Sequence, residues 1–219
     1  MSLKSHHSII PAILEKRFSS IEKCVREIEK FCKWAQIDVA DGKFVSNKTF
    51  LDIKRLKEIK TSLHFEIHLM VQNPKQFFPA LFQNKKIVRV IVHRESFARE
   101  VDLLEAISII HQAKKEIFLA LSPNTSLKSI LPWISTVDGI LFLTVYPGFQ
   151  GSLFQKKVLK KIRVLRQKNK DVIIAVDGGI TDKTIQFAKR AGANLFGVGS
   201  FIIKNDNPKK AYQILNETT

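Results

Sequence analysis

The chain has 219 residues, of which 45% are hydrophobic and 16 are Phe, enough apolar matter for the core of a large α/β barrel. No apolar run follows the N-terminal charges as in a secretory signal, and none approaches the roughly 18 residues of a membrane span, so a cytoplasmic protein without membrane partners is expected. The formal net charge of +16 is mostly lysine, with Lys156-Lys157 and Lys160-Lys161 at helical spacing; it reads as a solvated surface that also suits an anionic ligand, and a nucleic-acid role is disfavoured.

Short apolar runs alternate with helical periods along the whole chain. Residues 8–14 read as a first strand, and 19–33 as an amphipathic helix on Ile21, Val25, Ile28 and Phe31. That segment carries Cys24 and Cys32, which lack CxxC spacing and read as ordinary reduced residues. A strand over 34–39 and a lysine-studded helix over 49–60 follow, then a strand over 63–71 and a helix opened by Pro74. Next come a strand over 87–93, a helix over 97–114, a strand over 117–121 and a short helix near 126–135. Strands over 139–145, 172–176 and 195–198 each precede a helix, over 154–168, 182–191 and 208–215 respectively.

The strands are continuously apolar, as in a parallel sheet covered by helices. Eight strand-helix units without a Pro/Gly/Ser-rich linker predict a single (β/α)8 barrel domain over residues 1–219, with a doubly wound open sheet as the alternative. In a barrel, function collects at the C-terminal strand ends. Those ends hold Asp38 and Asp41, His68, His93, Ser122 and Asn124, Tyr146-Pro147-Gly148, Asp177, and Gly199-Ser200. His6, His7, His64 and His111 fall elsewhere and read as structural or solvated.

The segments Asp38-Val39-Ala40-Asp41-Gly42-Lys43-Phe44-Val45, His68-Leu69-Met70-Val71-Gln72-Asn73-Pro74, Val145-Tyr146-Pro147-Gly148-Phe149-Gln150-Gly151 and Val176-Asp177-Gly178-Gly179-Ile180, in this order and spacing, resemble the ribulose-phosphate 3-epimerase family. The similarity runs from Ile10 to Ser200. It implies a (β/α)8 TIM barrel that interconverts D-ribulose 5-phosphate and D-xylulose 5-phosphate through an enediolate. Asp38 and Asp177 match the two aspartates that exchange protons on opposite faces of carbon 3. The resemblance also implies a divalent metal cofactor (Zn, Fe, Mn or Co type) held by Asp38, His68 and Asp177. Gly148, Gly151, Gly178, Gly179, Gly199 and Ser200 match the phosphate-binding loops, where glycine lets backbone N–H groups come close to phosphate oxygens. Ala12, Ala40 and Met70 match the substrate pocket. Asp41 reads as a loop-holding residue and His93 as a supporting one.

Four positions depart from the family pattern. Gln36 stands where a second metal-binding histidine is expected and is the candidate fourth ligand through its amide oxygen, a weaker ligand than imidazole for zinc-like metals. Ala12 replaces a serine, Ala40 a methionine and Gln150 a glycine. These changes leave epimerisation of another ketose phosphate, or noncatalytic binding of a phosphosugar, as alternatives. Relatives are often oligomeric, which makes a homo-oligomer compatible with the sequence.

Overall fold

The computed structural model describes residues 8–146 and 152–218. Eight parallel strands close into a barrel in sequence order: β1 (Ser8–Ile13), β2 (Trp34–Ala40), β3 (His64–Met70), β4 (Ile87–His93), β5 (Glu116–Leu121), β6 (Gly139–Leu143), β7 (Ile173–Asp177) and β8 (Leu195–Val198). β8 pairs back onto β1 through Ser8 and Leu195, which removes any sheet edge. The closed barrel bears out the expected architecture over the open sheet.

The helices are α1 (Phe18–Ile28), α2 (Phe78–Phe82), α3 (Glu100–Gln112), α4 (Val158–Lys168), α5 (Ile185–Ala191), α6 (Ser200–Ile203) and α7 (Pro208–Thr218). Successive strand residues point to opposite faces, and the core divides accordingly. Ile140, Phe142, Ile174, Val176 and Phe196 join the helix residues in one large cluster outside the sheet. Ile91, Phe118, Ala120, Leu141, Leu143, Ala175 and Leu195 form a separate apolar cluster inside the barrel.

Two expected helices take another form. The segment read as a helix over 49–60 makes a 3-10 turn over Ile53–Glu58. Its buried residues Ile53, Leu56 and Ile59 recur every third position, a period that matches 3-10 winding better than α winding. The segment near 126–135 makes two 3-10 turns, Leu127–Ser129 and Leu131–Trp133. Pro132 brings no backbone N–H and interrupts any longer ladder. Pro74 does open a helical segment, a 3-10 turn over Pro74–Phe77 that runs into α2. α5 stops at Gly192, whose left-handed backbone (φ 109°) closes the last turn.

Candidate active site

Gln36 and Asp38 on β2, Glu66 and His68 on β3, and Arg89 and His93 on β4 bring polar side chains to one side of the barrel interior. Neighbouring strands set the pairing directly: Gln36 lies opposite Glu66, and Asp38 opposite His68. β7 supplies Asp177 from across the barrel at its last position.

These residues meet. The Gln36 amide nitrogen donates to Asp38 Oδ1 and to Asp177 Oδ2, both at 2.7 Å. His68 Nδ1 lies 3.1 Å from Asp38 Oδ1 and 3.2 Å from Asp177 Oδ2. One atom from each of Asp38, His68 and Asp177 falls within 4.8 Å of the others, a grouping able to hold a cation. His68 is fully buried, while Asp38 and Asp177 keep 7% and 8% exposure, so both carboxylates have an outlet.

Burial pushes the Asp38 carboxyl up, and the nearby charge of Asp177 adds to it, against the stabilising contacts of His68 and Gln36. Burial alone would push the His68 imidazole down, but hydrogen bonds to Asp177 and Asp38 outweigh it and lift it to about 10. Two acids in one buried site thus share the cationic or donor groups placed between them.

A supporting row continues from the site. His68 Nε2 lies 2.9 Å from His93 Nε2, the two rings stack, and His93 Nδ1 lies 3.4 Å from Glu95 Oε2. Burial holds the His93 imidazole below its ordinary value despite Glu95. Burial opposes ionisation of Glu95, yet the His93 imidazole beside it and hydrogen bonds from Thr125 and the Ser122 backbone N–H lower it to about 2. His93 therefore sits against a candidate ligand, in keeping with its expected supporting place.

Asp41 accepts from the backbone N–H groups of Lys43, Phe44 and Gln72 at 2.8, 2.9 and 2.8 Å. It holds the loop after β2, as expected. Ala12 pairs with Gln36 in the β1–β2 register. Ala40 and Met70 are buried with Val45 in a small cluster that also touches Leu14 and Phe44.

Gly178 and Gly179 follow Asp177 with φ of 103° and 65°, a backbone that L side chains rarely adopt. Gly199 follows β8, the neighbouring strand, and Ser200 starts α6. Gly148, Gly151 and Gln150, together with His6 and His7, lie outside the described residues. His64 begins β3 against Trp34, and His111 pairs with Asp138 at 3.0 Å, so both stand apart from the site.

Sequence reasoning passed over three contributors. Thr49 Oγ1 donates to the Asp38 carbonyl and accepts from the Ala40 N–H, both at 2.9 Å, which fixes the end of β2. Gly197 leaves room for Asp177: a Cβ there would meet its carboxyl group at 3.1 Å. Its signal was a glycine inside an apolar strand, a mark of close approach. Beneath the site, Arg89 Nη1 donates to Glu66 at 2.5 Å and Nε to Glu116 at 2.8 Å, and its guanidinium lies over Phe118 at 4.1 Å.

Among known proteins, the family described as Ribulose-phosphate 3 epimerase family matches residues 8–203. A ribulose-phosphate 3-epimerase of Schizosaccharomyces pombe (strain 972 / ATCC 24843) is 30% identical over 207 residues, covering 92% of this chain and 89% of that protein. One of Bacillus subtilis (strain 168) is 31% identical over 211 residues, covering 93% and 95%. Among solved structures, a 3-hexulose-6-phosphate synthase from Salmonella typhimurium superposes with a TM-score of 0.72 at 15% identity, over 96% of this chain and 97% of that one. At that identity the likeness speaks for the barrel alone.

Proposed function

Because this chain belongs to the ribulose-phosphate 3-epimerase family and is thereby an isomerase-class epimerase, we propose that it interconverts D-ribulose 5-phosphate and D-xylulose 5-phosphate by proton transfer between Asp38 and Asp177. The observation that carries this reading is the convergence of the two carboxylates, from β2 and β7, on one amide nitrogen. Inverting a carbon centre needs an acid or base on each face, and two carboxyl groups with different environments can divide the work.

In the forward direction one carboxylate takes the carbon-3 proton while the other, protonated, delivers its own to the opposite face. Reversal exchanges their roles. The raised affinity of Asp38 for its proton suits it to hold one between half-reactions. Glycines after β7, with Gly199 and Ser200 after β8 and Gly148 and Gly151 after β6, are the proposed phosphate ligands. Ala12, Ala40 and Met70 are the proposed sugar side.

The donor set fits a divalent cation. Two carboxylates and an imidazole converge at a buried point, where their mutual repulsion asks for positive charge. Asp38, His68 and Asp177 would hold such an ion, which would stabilise the negative charge developing on the sugar oxygens.

The test is carbon-3 hydrogen exchange of D-ribulose 5-phosphate in heavy water, followed by NMR with chelator and then with added divalent metal. Exchange with formation of xylulose 5-phosphate is expected. No exchange under any condition, with the sugar still bound, would turn the reading to another ketose phosphate or to binding alone.

A further inference from the structure

Resting on the reading of Asp38, His68 and Asp177 as a cation site, we infer that Gln36 is a positioning residue that bridges the acid pair in the cation-free protein and competes with the cation rather than binding it. The amide donates one N–H to each carboxylate at 2.7 Å, so both of its protons are used between two acceptors that would otherwise repel. Its oxygen Oε1 is buried and has no hydrogen-bond partner among the described residues. A buried amide whose oxygen has no protein partner is held by what its nitrogen gains.

That orientation puts N–H groups where a cation ligand would need a lone pair. The expected coordination through Oε1 requires the amide to turn over and give up both charge-assisted bonds. Zinc prefers imidazole, thiolate and carboxylate, and gains little from an amide oxygen in return. Zinc binding therefore works against Gln36, and an isosteric residue that cannot donate should bind zinc better although it removes a candidate ligand.

The experiment is a zinc titration of the full chain and of Gln36→Met by calorimetry against a competing chelator, with thermal melts of both in chelator and in zinc. Gln36→Met is expected to bind zinc more tightly, by about tenfold for each charge-assisted bond no longer sacrificed. It should also melt below the unmodified chain in chelator and gain more from zinc. Equal or weaker zinc binding by Gln36→Met would overturn the inference and make Gln36 a bystander or a ligand.

A second measurement needs no variant. The Gln36 side-chain NH2 protons, followed by NMR in chelated protein, should exchange slowly and lose that protection on stoichiometric zinc. Protection unchanged by bound zinc would overturn the inference. Neither readout uses turnover, so a chain that behaves this way yet fails to epimerise would sink the proposed reaction alone.

Discussion

Asp38 and His68 face each other across β2 and β3 as direct register partners, and their side chains meet at 3.1 Å. The pairing comes from the backbone ladder, so the distance is set by the sheet and not by a loop. Asp177, by contrast, comes from the far side of the barrel and reaches the same imidazole at 3.2 Å. Barrel closure is what makes the acid pair.

Replacing either acid should separate the two halves of the reaction. Asp38→Asn or Asp177→Asn is expected to lower kcat by about 10²–10⁴-fold, the usual worth of a positioned acid or base. KM should change little, since the proposed phosphate contacts lie elsewhere. Each variant should still exchange the carbon-3 proton of one substrate epimer with heavy water far faster than it forms product. Steady-state assays and NMR exchange check both, and unchanged turnover in Asp38→Asn would remove it from the chemistry.

Beneath the site, Arg89 is fully buried beside Glu66 and offsets only part of the burial that raises the Glu66 carboxyl above its ordinary value. Arg89→Met should cost about 3–5 kcal/mol, because it strands Glu66 as a buried charge. Adding Glu66→Gln should return part of that loss. Urea melts of the single and double variants measure the difference, and full additivity would show the pair to be uncoupled.

Glu95 offers a pH test. Its folded-state value of about 2 lies below the ordinary carboxylate value, so its stabilisation is complete above about pH 4.5 and is lost as pH falls toward 2. Glu95→Gln should melt below the unmodified chain at neutral pH, by an amount worth about 1–3 kcal/mol. The gap should close between pH 4.5 and pH 2. Thermal melts across that range check it, and a gap that widens in acid would contradict the assignment.

Two glycines should fail in different ways. Gly178→Ala would drive a Cβ into the Val145 side chain on a backbone with φ of 103°, so it should lose about 1–3 kcal/mol of stability along with sugar-phosphate affinity. Gly197→Ala crowds the Asp177 side chain, its carboxyl group at 3.1 Å. It should keep most of its stability and lose turnover by about tenfold or more through misplacement of one acid. Melting curves beside kcat and KM distinguish the two.

Much of this was legible in the residues. The strand-helix rhythm fixes the barrel, because eight apolar runs joined by amphipathic segments have few other ways to bury themselves. Asp177 stands out as the charged end of an apolar strand, and Asp38 and His68 as charge-bearing side chains set among apolar neighbours. What stayed hidden depends on tertiary partners. The segment around Ile53, Leu56 and Ile59 looked helical because lysine-rich spacing does not separate periods of 3.0 and 3.6 over two turns. Nothing in the sequence marked Glu66, Arg89 and Glu116 as partners; the register places them side by side. Gln36 announced an amide at the right place but not which end of it would face the acids.

The Arg89 layer has one more effect. With its guanidinium lodged among Glu66, Glu116 and the Phe118 and Trp34 rings, the inside of the barrel is a cul-de-sac. Among the described residues, the proposed sugar phosphate, its product and any ion would reach the acid pair through the doorway at the C-terminal strand ends, where Asp38 and Asp177 keep their exposure. Each departure then has to precede the next arrival, and whatever covers that doorway governs all traffic at once.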